Sequence, residues 1–188
     1  MISTKCWYLV DHEPNDQLIL DYIAVDKSGH RLEIAIYHSA RIGRITLLHK
    51  LLDLVRENTK LIEINGHVLN VAAEEGRDAV IEFMGKRGVP MDIPNSKNET
   101  PLLMAARYGQ IDCVKLVLSL GANINAQDMY GTTALHWSAR NGNIEKVKLL
   151  LNNGADTDLV DTYGRRPIDR ARALKRVECI ELLESVSR

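Results

Sequence analysis

Apolar positions along the chain recur with helical rather than strand spacing. In IDCVKLVLSLGA (111–122) and IEKVKLLLNNGA (144–155), apolar residues fall at i, i+3, i+6 and i+7, which predicts one amphipathic helix in each. Both segments run into a glycine, Gly121 or Gly154, a usual residue just past a helix end. Ahead of each lies a shorter apolar stretch rich in small residues, within TPLLMAARYGQ (100–110) and TALHWSARNGN (133–143). The pattern is therefore a short helix that permits close packing, a glycine turn and a second helix.

The two units stand 33 residues apart, and the same spacing aligns HVLNVAAEEGR (67–77) before them and RPIDRARALKR (166–176) after them. Gly76, Gly109 and Gly142 share a column that Gly43 extends backwards, and Gly88, Gly121 and Gly154 share a second. A small-residue column holds Ala72-Ala73, Ala105-Ala106 and Ser138-Ala139. Asn65, Asn98, Gly131 and Gly164 also align, residue types that tolerate positive φ, so a tight turn is expected once per block. One such unit cannot bury its apolar face alone, and stacking of neighbours supplies a continuous core.

A unit of 33 residues with TPLH-like and GADxN-like segments resembles the ankyrin repeat. The likeness is close in 95–127 and 128–160 and moderate in 62–94, where HVLN and GVPMD replace the usual segments. Residues 161–188 resemble a terminal repeat, with RPIDRAR and a shortened end. Residues 30–61 resemble a degenerate first repeat, with LEIAIYHSARIG as inner helix and RITLLHKLLDLV as outer helix. The implied fold is an all-α solenoid of about five repeats over 30–188. Residues 1–29 fit no repeat and are expected to form an extension that caps the apolar end of the stack.

Composition narrows the function. Of the 188 residues, 45% are hydrophobic and 26% charged, with a formal net charge of −1. That balance offers no global field for nucleic acid or an anionic membrane. No stretch approaches the roughly 18 apolar residues of a membrane span, and MISTKCWYLVDHEP lacks the features of a secretory signal, so a cytoplasmic location is expected. Cys6, Cys113 and Cys179 contain no CxxC pair and read as reduced core thiols. Cys113 and Cys179 share a column two repeats apart, roughly 20 Å at one helix diameter per repeat, beyond the reach of a disulfide.

One stretch invites a catalytic reading: GTTALHWSARNGN (131–143) holds His136, Ser138 and Arg140 within five positions. Ser138, however, is two residues from His136 on one predicted helix, so the side chains diverge, and it occupies a small-residue column. The family resemblance assigns His136 and Thr133 to hydrogen bonds that start the inner helix and tie adjacent repeats, worth on the order of 1 kcal/mol. The six histidines show no HxxxH or HExxH spacing, and GKRG (85–88) lacks the rest of a phosphate loop. No catalytic residue, metal or cofactor is expected. An enzyme would have to reside in residues 1–61, where no catalytic constellation is recognisable.

The resemblance implies a concave face made of turn tips and exposed inner-helix positions. Here the tips carry Lys97 and Glu99, then Met129, Tyr130 and Thr132, then Tyr163 and Arg165. The inner-helix positions carry Glu74 and Glu75, then Arg107 and Tyr108, then Arg140 and Asn141. Trp137 lies beside them, either packed between helices or partly displayed. Tyrosine, tryptophan and arginine dominate interface hot spots. The expected function is non-enzymatic binding of a partner protein by a chain that is monomeric on its own. The chain then serves as scaffold, inhibitor or targeting adaptor, including a microbial protein that acts on host proteins. The alternatives are a self-associating structural protein and a regulatory subunit of an enzyme.

Overall fold

A computed structural model describes residues 2–26, 28–55 and 58–186, with backbone alone for 2–4 and 58–63. Residues 1, 27, 56, 57, 187 and 188, which belong to the expected extension, first repeat and last repeat, lie outside the described residues. The described chain forms twelve helices and no strand. They are α1 (Ile2–His12), α2 (Asp16–Ala24), α3 (His30–Ile42), α4 (Ile45–Asp53), α5 (Asn58–Glu74) and α6 (Asp78–Lys86). There follow α7 (Pro101–Arg107), α8 (Ile111–Ser119), α9 (Ala134–Asn141), α10 (Ile144–Asn152), α11 (Pro167–Ala173) and α12 (Val177–Val186).

The odd-numbered helices stack in an inner row, each on the next from α1 to α11, and α4, α6, α8, α10 and α12 stack in an outer row. The inner helices α7 and α9 are short and buried almost throughout: Leu102 to Ala106 and Ala134 to Ala139 are inaccessible to solvent or nearly so. Outer helices bury one stripe each, such as Leu47, Leu48, Leu51 and Leu52 in α4 or Val80, Ile81 and Met84 in α6. Full burial of one such side chain is worth about 1.5–3 kcal/mol, and a continuous row of them holds the solenoid together.

Three long connections, 87–100, 120–133 and 153–166, project as fingers beside the inner row. Asn95, Asp128 and Asp161, one period apart, build their tips. The side-chain oxygen of each accepts the N–H groups two and four residues on, at 2.8–3.0 Å. The tips turn on positive φ at Asn98 (58°), Gly131 (71°) and Gly164 (71°). Neighbouring fingers are joined where Met129 N–H donates to Lys97 O (3.1 Å) and Thr162 N–H donates to Tyr130 O (2.9 Å).

The expected turn at Asn65 is not formed: α5 runs unbroken from Asn58 to Glu74. α7 and α9 follow an N-cap threonine, Thr100 or Thr133, whereas His67 stands at that position in the earlier block. Gly66 is needed there for space instead, because a Cβ would stand 2.6 Å from Ile93 Cγ2 of the first finger. Gly109 is likewise a close-approach residue, its absent Cβ lying 2.6 Å from Ala73 O.

Polar ties lock successive pairs. Arg44, Arg77 and Arg176 precede outer helices at one spacing, and each reaches back to carbonyls at the end of the preceding inner helix. Arg44 Nη1 donates to Val10 O (3.0 Å) and Glu13 O (2.6 Å), Arg77 Nε to Arg41 O (2.7 Å) and Arg176 Nε to Arg140 O (3.1 Å). Arg44 Nη2 also pairs with Asp16 at 2.7 Å, which fastens the start of α2. Deeper in the stack, the Lys146 ammonium of α10 donates to the carbonyls of Ala105 (3.3 Å), Ala106 (3.2 Å) and Gly109 (2.6 Å). Burial pushes this ammonium below its ordinary pKa.

Candidate partner-binding face

His136 is fully buried at the start of α9. Its Nε2 faces Arg165 O at 2.9 Å, and a carbonyl only accepts, so Nε2 carries the proton. Nδ1 then accepts from Thr133 N–H (3.2 Å) and lies 2.8 Å from Thr133 Oγ1. The imidazole thus closes the start of its own helix and fastens it to the next finger. Burial pushes its pKa down, against the opposing bond to Arg165 O, and keeps the ring neutral, as this bonding requires. Ser138 Oγ is buried and meets neither ring nitrogen, so the two residues form no nucleophile–base pair. The three cysteines are buried too, and burial pushes Cys113 up to about 12, where it stays protonated.

Beside this buried tie the predicted face divides. Lys97, Tyr108, Met129, Tyr130, Arg140, Asn141 and Tyr163 are exposed, and Tyr163 retains 74% of its surface. Three of the expected residues face inward. Thr132 is buried beneath the second finger, where its N–H is held by Asp128 at 2.8 Å. Glu99 is buried because its carboxylate serves the first finger, accepting Asn95 Nδ2 at 2.7 Å and Arg107 Nη1 at 3.1 Å. Trp137 is 9% exposed and packs between neighbouring pairs rather than standing free.

Trp137 nevertheless organises the face. The Arg107 guanidinium lies 4.1 Å from its ring centre and 4.6 Å from that of Tyr108, and the Arg140 guanidinium lies 5.3 Å from the indole. Two arginines from successive pairs therefore rest on one indole, an arrangement favoured by the ring quadrupole. Asn141 Nδ2 donates to Arg107 O at 2.9 Å and braces the same joint. At the third finger Arg165 stacks on Tyr163 at 4.5 Å while its Nε pairs with Asp161 at 3.0 Å.

Asp161 and Arg170 complete this corner, and sequence reasoning passed over both. Arg170 Nη2 lies 2.7 Å from the buried Asp161 carboxylate, which therefore carries two guanidiniums. Burial alone raises the Asp161 pKa. The N–H groups of Arg165 and Tyr163 and the two guanidiniums outweigh it and bring the value to about 2. The signal was present in the Asn95, Asp128 and Asp161 column at the 33-residue spacing.

A family model described as ankyrin repeats (3 copies) matches residues 34–128 and again 127–186. Over 92 residues the chain is 37% identical to the E3 ubiquitin-protein ligase XB3 of Oryza sativa subsp. japonica, covering 47% of this chain and 20% of that protein. It is 33% identical over 100 residues to the putative E3 ubiquitin-protein ligase XBAT31 of Arabidopsis thaliana, covering 51% and 22%. It is 36% identical over 76 residues to the potassium channel AKT2/3 of the same plant, covering 40% and 10%. The chain thus spans about a fifth or less of the curated relatives it matches. With paired helices, stacked fingers and a family match running from 34 to 186, the chain belongs to the ankyrin repeat family.

Proposed function

We propose that this ankyrin domain binds a partner protein on the face formed by the three fingers and by α7 and α9, and that it does so without catalysis. The observation that carries this reading is the Arg107–Trp137–Arg140 stack, flanked by exposed Tyr108, Tyr130 and Tyr163. Arginine and aromatic side chains held rigid by their neighbours lose little entropy on binding and suit hot spots. Relatives named as ligases and as a channel each match over a minor part of their length, which supports a recognition segment that serves proteins of unlike activity. Within this reading the chain acts as a scaffold, inhibitor or targeting adaptor.

The test is Tyr130→Ala combined with Arg140→Ala, in an affinity pull-down read by mass spectrometry beside the wild type. The partner bound by wild type should be depleted several-fold or more by the double variant, with the melting temperature nearly unchanged. Equal depletion by Lys148→Ala, on the exposed side of α10, would place the interface elsewhere.

A further inference from the structure

The charge left over on this face specifies the chemistry of the partner. The carboxylates at the tips of the three fingers are already engaged. Glu99 takes Asn95 and Arg107. Asp128 takes the N–H groups of Tyr130 and Thr132 at 2.8 Å. Asp161 takes two N–H groups and the guanidiniums of Arg165 and Arg170. Around these three tip acids stand five cations, Lys97, Arg107, Arg140, Arg165 and Arg170; of the other acids in the strip, Asp158 and Asp169 pair with Arg166 and Arg172, and Asp92 and Asp156 accept backbone N–H groups. Among the described residues, no carboxylate lies within ion-pair distance of Lys97 or Arg140, and both are exposed. Two guanidiniums on the single Asp161 carboxylate leave a further unit of positive charge at the tip of the third finger.

We infer that the face takes an acidic peptide segment that also carries apolar or aromatic side chains. This rests on the concave-face reading proposed above and deepens it. The acidic residues of the segment meet Lys97, Arg140 and the Arg165–Arg170 corner. Its apolar side chains meet Met129, Tyr130 and Tyr163, which retain 55%, 52% and 74% of their surface. The exposed pair Glu74 and Glu75 at the end of α5 repels acidic groups, so the acidic part of the segment lies toward α9 and α11. Nucleic acid fits less well: it needs a run of cations matched to phosphates, and this chain has net charge −1 and a small surplus beside two free glutamates.

The experiment pans a phage-displayed library of random dodecapeptides on the whole chain. Fluorescence anisotropy of the strongest peptide then follows, beside a twelve-nucleotide single-stranded RNA. The selected peptides should be enriched in Asp and Glu over the library. Affinity should fall by about tenfold or more with Lys97→Glu plus Arg140→Glu and should weaken as salt rises from 50 to 300 mM. A peptide with its acids changed to lysine should regain binding to that charge-reversed variant, which a merely misfolded variant would not show. Peptides that lose binding with Tyr130→Ala but show no acidic excess overturn the acidic partner and leave the concave-face reading standing. Tighter binding of the RNA at the same residues also overturns it. Peptides indifferent to both variants, or no selected peptide at all, overturn the acidic partner and the concave-face reading together.

Discussion

Replacing His136 by alanine isolates the tie between the fourth and fifth helix pairs. The imidazole is fully buried, donates from Nε2 to Arg165 O at 2.9 Å and accepts at Nδ1 from Thr133. His136→Ala leaves the Arg165 carbonyl and the Thr133 N–H without these partners, at about 1 kcal/mol each. It also opens a cavity the size of the ring, which costs about 1 kcal/mol more. The total of about 3 kcal/mol exceeds the single lost bond expected from sequence, because the ring is bonded at both nitrogens. For a chain of this size that lowers the melting temperature by about 6–12 °C, measured by circular dichroism at 222 nm. His136→Leu keeps the volume, as Leu103 does one pair earlier, and should cost about 2 kcal/mol. The pH dependence has a definite sign. The folded-state pKa lies below 6.5, so between the two values the unfolded chain binds more protons. Stability is therefore full above pH 6.5 and declines as the pH falls below it; His136→Leu should flatten that decline. A melting temperature for His136→Ala within about 2 °C of wild type would refute the assignment of these bonds.

Three further outcomes follow from the packing. Lys146→Met removes the shared donor of Ala105, Ala106 and Gly109 and should cost about 2–4 kcal/mol in urea denaturation; an unchanged midpoint would show that those carbonyls need no cation. Gly109→Ala forces a Cβ to 2.6 Å from Ala73 O, whereas at Gly88 a Cβ meets nothing within 4 Å and only φ (76°) resists it. The first should therefore lower stability by more than about 2 kcal/mol and the second by about 1 kcal/mol, and equal effects would exclude close approach as the cause at Gly109. Cys6, Cys113 and Cys179 are buried and should react with a thiol reagent only after unfolding; prompt labelling of the native chain at neutral pH would contradict their core placement.

The repeating polar columns make much of the fold legible in the sequence. Asn98, Gly131 and Gly164 turn with positive φ where their shared column requires it, and the helix pairs follow the apolar spacing. The failures have local causes. Asn65-Gly66 looks like a turn, but the glycine is there to admit Ile93, a contact between segments that spacing along the chain does not reveal. That residues 1–29 form a helix pair, α1 and α2, was hidden because they share no motif with the later blocks. On the candidate face, tip position alone did not distinguish Tyr130 from Thr132. Asp128 accepts both of their N–H groups at 2.8 Å, yet the Thr132 side chain is buried while Tyr130 keeps half of its surface. Glu99 is withdrawn by Asn95 and Arg107.

The connection from α4 to α5 is only residues 54–57, whereas each later pair is entered through a long finger. Among the described residues, fingers therefore stand opposite the inner row only from α7 onward, and there are three. Helix pairs stack at about 10 Å, which sets the first and third fingers roughly 20 Å apart. An extended chain advances by about 3.3–3.6 Å per residue, so the groove has the length of about six residues. Under the proposed function, a longer segment leaves finger cover where Glu74 and Glu75 end α5, and the unbroken helix in place of a turn at Asn65 sets the length of sequence bound.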